Sequence, residues 1–168
     1  MSNITLENMT EELLDTEKLD VTIKKVTIED ISEIQSMMTD MNSFILNELK
    51  NSPYAKIDES PYVEDVTFDH ISSILEELYT IIKDGTIIGY AQFGRNSSTN
   101  LHIYSLFVKS EYRGNGIGKI TLQRITNYAK SNGYITITIR SVVSNIPSMN
   151  LYKSFGFEEY HVSLVKNI

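Results

Sequence analysis

The run Arg113-Gly114-Asn115-Gly116-Ile117-Gly118 constrains this 168-residue chain more than any other stretch. It follows an apolar segment, 101–109, with strand character, and it opens a segment, 116–131, whose spacing predicts an amphipathic helix. A strand, a glycine turn and a helix start in that order gather free backbone N–H groups at the positive end of a helix dipole. Such a pocket suits a pyrophosphate. Two familiar phosphate loops do not fit. The dinucleotide fingerprint G-x-G-x-x-G would find its third glycine one residue early. The Walker loop would find Arg113 in its first glycine slot and Ile120 after Lys119.

The pattern that does fit is R/Q-x-x-G-x-G/A, with Arg113, Gly116 and Gly118 in the fixed places. A second pattern follows at Asn145-Ile146-Pro147-Ser148-Met149-Asn150-Leu151-Tyr152-Lys153-Ser154-Phe155-Gly156-Phe157, which matches N-x-x-A-x-x-L-Y-x-x-x-G-F with Ser148 where Ala is usual. One helix and one strand fit between the two. On these residues the chain resembles the GNAT superfamily of acetyl-CoA-dependent N-acetyltransferases. The resemblance spans residues 21–165 and is specific within 101–157, the first hundred residues matching in layout alone.

Composition bounds the reading. The length suits one domain, and we divide it into an N-terminal extension, 1–20, and an acetyltransferase domain, 21–168. The absence of cysteine rules out disulfides, thiolate metal ligands and a thiol nucleophile. No apolar stretch approaches bilayer-spanning length and the N-terminus lacks signal-peptide character, so a cytoplasmic protein with no membrane association is expected. The net charge of −7 is unevenly spread: −12 in residues 1–100 and +5 in residues 101–168. The basic part holds both motifs, as a polyanionic cofactor requires, and leaves the acidic part to face a cationic acceptor. An acidic chain without a basic aromatic stripe is not expected to bind nucleic acid.

Along the chain, 21–27 reads as a strand and Thr27-Ile28-Glu29-Asp30 as a helix start. Ile31, Ile34, Met38, Met41, Ile45 and Leu49 then recur at helical spacing. Pro53 and Pro61 bracket a loop before a second helix, 63–77. Strands 78–83 and 86–94 meet at Asp84-Gly85, a two-residue hairpin signal. A strand on Ile135, Ile137 and Ile139, a short helix after Pro147 and a last strand, 157–165, complete the order. The resemblance implies an α/β (mixed α+β) GNAT fold: a central twisted mixed sheet of six to seven strands flanked by about four helices.

It also implies chemistry. Backbone N–H groups from Arg113, Gly114, Asn115, Gly116, Ile117, Gly118 and Lys119 should wrap the pyrophosphate of acetyl-CoA. Leu106, Phe107 and Val108 should lie on a splayed strand whose backbone meets the acetyl oxygen and the pantetheine amides, with Leu106 N–H on the oxygen. One such donor is worth about 3 kcal/mol of barrier. Asn145 should bond the pantetheine arm, and Tyr152 should protonate the departing sulfur. An alkylammonium must lose a proton before it attacks, at a cost of about 4–5 kcal/mol at neutral pH. Histone-type members place a carboxylate base eleven residues before the loop motif, and here that place is His102. Glu76, Glu77 or a water chain are alternatives to it, whereas His70 and His161 have no motif support. No metal site is expected. The expected partners are acetyl-CoA and a small-molecule amine, by direct attack in a ternary complex, with a homodimer left open. A protein or peptide amine, or a non-catalytic acetyl-CoA-binding module, are the competing readings.

Overall fold

The computed structural model describes residues 20–50, 66–161, 164 and 166. Five strands form one sheet in the order β1 (Val21–Lys25), β2 (Leu78–Lys83), β3 (Thr86–Arg95), β4 (Asn100–Val108) and β5 (Thr136–Ile139). The first three pairings are antiparallel, and β4 with β5 is parallel. A parallel pair needs a long crossover, which α3 (Ile117–Ser131) supplies. The helices α1 (Ile31–Leu49) and α2 (Phe68–Ser73) cover one face of the sheet. The other face carries α3 and α4 (Ile146–Ser154).

Local signals explain most of these elements. Asp84 and Gly85 both take positive φ, 50° and 76°, the two left-handed positions that a tight β2–β3 hairpin demands. At the start of α1, Asp30 Oδ2 accepts from both the Thr27 N–H and the Thr27 hydroxyl at 2.9 Å. Ile31, Ile34, Met37 and Met38 bury against Leu78, Tyr90 and Phe107 of the sheet. On the opposite face, Leu122, Ile125 and Ala129 of α3 pack on Phe93, Leu101 and Ile103. Each such aliphatic side chain, fully buried, contributes about 1.5–3 kcal/mol.

Two expectations need correction. The sheet has five strands among the described residues, not six to seven. The segment 157–161, expected to begin a last strand, is irregular. Phe157 instead folds back, its N–H bonded to the Tyr152 carbonyl and its ring edge-on to Tyr152 at 6.0 Å, while Glu159 pairs with Lys153. The second helix is also shorter than 63–77. Ser73 turns its hydroxyl onto the His70 carbonyl at 2.6 Å, competing with the helical ladder, and Ile74 leaves helical geometry before a separate 3₁₀ turn at Leu75–Glu77. The expected extension (apart from Asp20) and the loop between Pro53 and Pro61 lie outside the described residues.

Two irregularities in the sheet position everything that follows. Ile81 pairs with Gly89 but Ile82 with Ile87, so Ile88 is an extra residue in β3. Gln92 pairs with Ser105 but Phe93 with Ile103, so Tyr104 is an extra residue in β4. One inserted residue exchanges the two faces of a strand. Before Tyr104, Leu101 and Ile103 pack on the α3 face. After it, Leu106 joins that face and Phe107 joins the α1 face. The β5 partner stops at the same level, because its last pair is Ile103 with Ile139.

Candidate functional site

Beyond Ile103, then, β4 keeps its β3 neighbour and loses its β5 neighbour, and the sheet parts. A cavity of about 1100 Å³ occupies the gap. Its walls are residues 104–114 and 116–119 of β4, the loop and α3, then 139–142, 145, 147, 148, 151 and 152, and on the far side α1 from Glu33 to Ile45.

The loop end is built for an anion. Gly116 caps α3 in the left-handed conformation, φ 78°, and carries no side chain to occupy the first N–H groups of the helix. The first intrahelical bond is from Ile120 N–H to the Gly116 carbonyl, which leaves the N–H groups of Ile117, Gly118 and Lys119 without helical partners. No acidic residue sits in the first turn, the place where acids usually balance a helix dipole. Lys109, Arg113, Lys119 and Arg140 are among the residues that line the cavity. The loop is held to the strand by Arg113, whose Nε donates to the Val108 carbonyl at 2.7 Å and whose guanidinium lies over the Phe107 ring. Asn115 does not line the cavity. Its side-chain amide donates to the carbonyls of Tyr112 and Arg113 and locks the turn. Gly118 serves packing: a Cβ there would stand 3.0 Å from Leu151 Cδ2 of α4.

The helix α4 brings Asn145 and Tyr152 to the opposite wall. Asn145 Oδ1 caps the helix by accepting from the Ser148 N–H at 3.3 Å. Tyr152 is buried, and burial pushes its hydroxyl above the usual tyrosine range, with a hydrogen bond to Ser148 pulling the other way. The hydroxyl therefore stays protonated at neutral pH. Ser148, the departure from the usual alanine, is what gives Tyr152 this partner.

His102 stands apart from these residues, two positions before the bulge residue Tyr104 and outside the cavity lining. Its Nδ1 meets Thr138 Oγ1 at 2.8 Å. The Thr138 hydroxyl donates its proton to Asn100 Oδ1, so it accepts from His102, which must carry its proton on Nδ1 and a lone pair on Nε2. Burial, and then the charge of Arg140, lower the His102 pKa, so the ring is neutral at pH 7. Its ring meets Tyr104 edge-on at 4.8 Å, and Tyr104 does reach the cavity. Glu77 ends the 3₁₀ turn that leads into β2. Its carboxylate covers Gly94, the residue paired with His102, and accepts from Gln92 Nε2 at 3.4 Å. Glu76 instead pairs with Lys25.

The early helices were expected to wall the substrate, but no residue of α1, and not Ser105, was singled out by the sequence. From α1, Glu33 is bound to Lys109 at 2.7 Å, while Asp40, Met41, Phe44 and Ile45 open onto the cavity. Ser105 is 8% exposed and its hydroxyl has no partner among the described residues. An orphaned buried hydroxyl costs about 1–3 kcal/mol. The signal was present in the sequence as a serine directly before the apolar run Leu106-Phe107-Val108, but a strand serine alone carries no function. Among the described residues, no three His, Asp or Glu side chains come together as a metal would need, and no helix is long and apolar enough to cross a membrane.

Comparison with known proteins agrees with this geometry. Residues 43–157 match the model of the acetyltransferase (GNAT) family. A putative [ribosomal protein bS18]-alanine N-acetyltransferase of Bacillus subtilis is 24% identical over 141 residues, 84% of this chain and 83% of that one. An uncharacterized N-acetyltransferase of Dictyostelium discoideum is 42% identical over 55 residues, a third of this chain and 26% of that protein's length. Among solved structures, PaiA N-acetyltransferase from Thermoplasma acidophilum in complex with coenzyme A superposes with a TM-score of 0.69 at 17% identity. The match covers 86% of this chain and 94% of that one.

Proposed function

The chain belongs to the GNAT family of acetyl-CoA-dependent N-acetyltransferases, and from that premise we propose that it acetylates the primary amine of a small cationic molecule by direct attack in a ternary complex. One observation carries the reading. The uncapped N-terminus of α3, the parted stretch of β4 and the buried Tyr152 hydroxyl all open into a single cavity whose other wall is the acidic α1.

In this reading the pyrophosphate lies on the N–H groups of residues 113–119, and the pantetheine arm runs along 106–108 with the Asn145 side-chain amide beside it. Leu106 N–H takes the acetyl oxygen. A donor fixed before reaction stabilises the charge that develops there without reorganising. The amine nitrogen attacks the carbonyl carbon, the C–S bond breaks, and Tyr152 passes its proton to the leaving sulfur. The ammonium proton leaves through water to Nε2 of His102, whose lone pair the Thr138–Asn100 chain holds ready. Glu77 beside it is the other proton acceptor within the same cluster.

The Bacillus relative, named for a ribosomal protein alanine, favours a second reading in which the acceptor is a protein N-terminus. Release of CoA from acetyl-CoA across polyamines, aminoglycosides, simple alkylamines, amino acids and short peptides separates the two. Turnover with small amines supports the proposal. Turnover with peptides alone would move it to the second reading, and acetyl-CoA binding without any turnover would refute catalysis.

A further inference from the structure

The cavity has two sides, and the bulge at Tyr104 separates them. Leu106 and Tyr152 belong to the α3–α4 side, whereas Ser105 and Phe107 face the α1 side. On that second side the lining is mostly apolar: Met37, Met41, Phe44 and Ile45 of α1, with Phe44 45% exposed. Two polar groups stand out within it. The Ser105 hydroxyl is buried and unpartnered at the base. Asp40 lines the same cavity from an exposed position on α1 and has no ion-pair partner among the described residues, whereas Glu33, two helical turns earlier, is paired with Lys109.

We propose that Ser105 and Asp40 form the acceptor subsite, which takes a single primary ammonium at the end of an apolar stem. This rests on the acetyltransferase reading and narrows its substrate. A buried hydroxyl without a partner is completed by a ligand that can hydrogen-bond to it, and an amine donates one N–H to Ser105 Oγ. Ser105 directly precedes Leu106, the residue assigned to the acetyl oxygen, so the amine approaches from the α1 side of the strand whose backbone holds the acetyl group. The stem lies on Met41, Phe44 and Ile45, where a sugar or a polycation would lose hydration without gaining partners. Asp40 attracts the cation from the rim, an effect that salt screens.

Hexylamine tests this, with hexanol and spermidine as comparisons, titrated into the CoA-saturated protein by calorimetry. Hexylamine should bind at least tenfold more tightly than hexanol, which cannot offer a charged donor, and more tightly than spermidine. Ser105→Ala should weaken hexylamine about tenfold, the scale of one lost hydrogen bond to a charged group, and leave the CoA affinity within twofold. Asp40→Asn should weaken it about threefold at low salt and not at 0.5 M salt. No saturable hexylamine binding, equal binding of hexanol, tighter binding of spermidine, or an unchanged affinity in Ser105→Ala would each overturn the proposal. CoA release with acetyl-CoA is followed in parallel. Hexylamine bound as described but never acetylated would leave the subsite standing and refute the catalytic reading.

Discussion

Gly89 and Phe107 approach so closely that a methyl group on Gly89 would overlap the Phe107 carbonyl oxygen. The contact lies where Gly89 pairs with Val108, on the parted stretch of β4 that lines the cavity. Gly89→Ala must therefore push β4 away from β3. Overpacking of this kind costs about 1–3 kcal/mol, and here the displaced backbone is also the proposed pantetheine wall. The variant should melt earlier and bind acetyl-CoA at least tenfold more weakly. Unchanged melting together with unchanged affinity would show that the wall is not where we put it.

Gly116 tests the anion pocket separately. An added Cβ meets nothing within 4 Å, so the substitution acts through the backbone alone. Holding alanine at φ 78° costs about 1–2 kcal/mol. Gly116→Ala should lose roughly that much stability, measured by denaturant titration, and weaken acetyl-CoA further than the stability loss explains as the turn relaxes.

Tyr152→Phe removes the proposed acid without removing its ring from the core. We expect kcat to fall about 10–100-fold with the acetyl-CoA dissociation constant unchanged. Because burial raises the Tyr152 pKa above the ordinary tyrosine value, its ionisation should cause no loss of wild-type activity around neutral pH. Full turnover in Tyr152→Phe would remove it from the mechanism.

The sign of the pH dependence follows for His102. Its pKa is lowered by burial and by Arg140, so it remains an uncharged base below the ordinary value of 6.5. If it accepts the amine proton, kcat should hold from pH 7 downward and fall with a midpoint under 6.5. His102→Gln should abolish that limb. Thr138→Val, which removes the bond that fixes the ring tautomer, should reduce kcat and leave KM for acetyl-CoA alone. An acid limb that survives in His102→Gln and vanishes in Glu77→Gln would assign the base to Glu77.

The elements with strong local chemistry were legible in the sequence. The Asp84-Gly85 hairpin, the Thr27–Asp30 helix start, the glycine loop and Pro147 in the first turn of α4 each form from residues a few positions apart. What escaped depends on distant partners. Nothing local in Tyr104 marks it as the extra residue of β4, since a bulge is defined by its pairing with β3. The Asn115 side chain turns onto two loop carbonyls, a role its place in the motif does not announce. Gly118 has a packing reason for lacking a side chain, Leu151, that no local residue announces. The described start of the expected last strand, 157–161, is irregular for the same reason: Phe157 has strand character, but Tyr152 offers it a packing site within the α4 turn.

The most direct measurement is the change in backbone amide resonances when acetyl-CoA is added to the ¹⁵N-labelled 19.2 kDa protein. The account predicts saturable shifts concentrated at Leu106–Val108, Arg113–Lys119 and Asn145–Tyr152, with the Asp84-Gly85 hairpin unmoved. No saturable shift, or shifts centred away from those three segments, would contradict it.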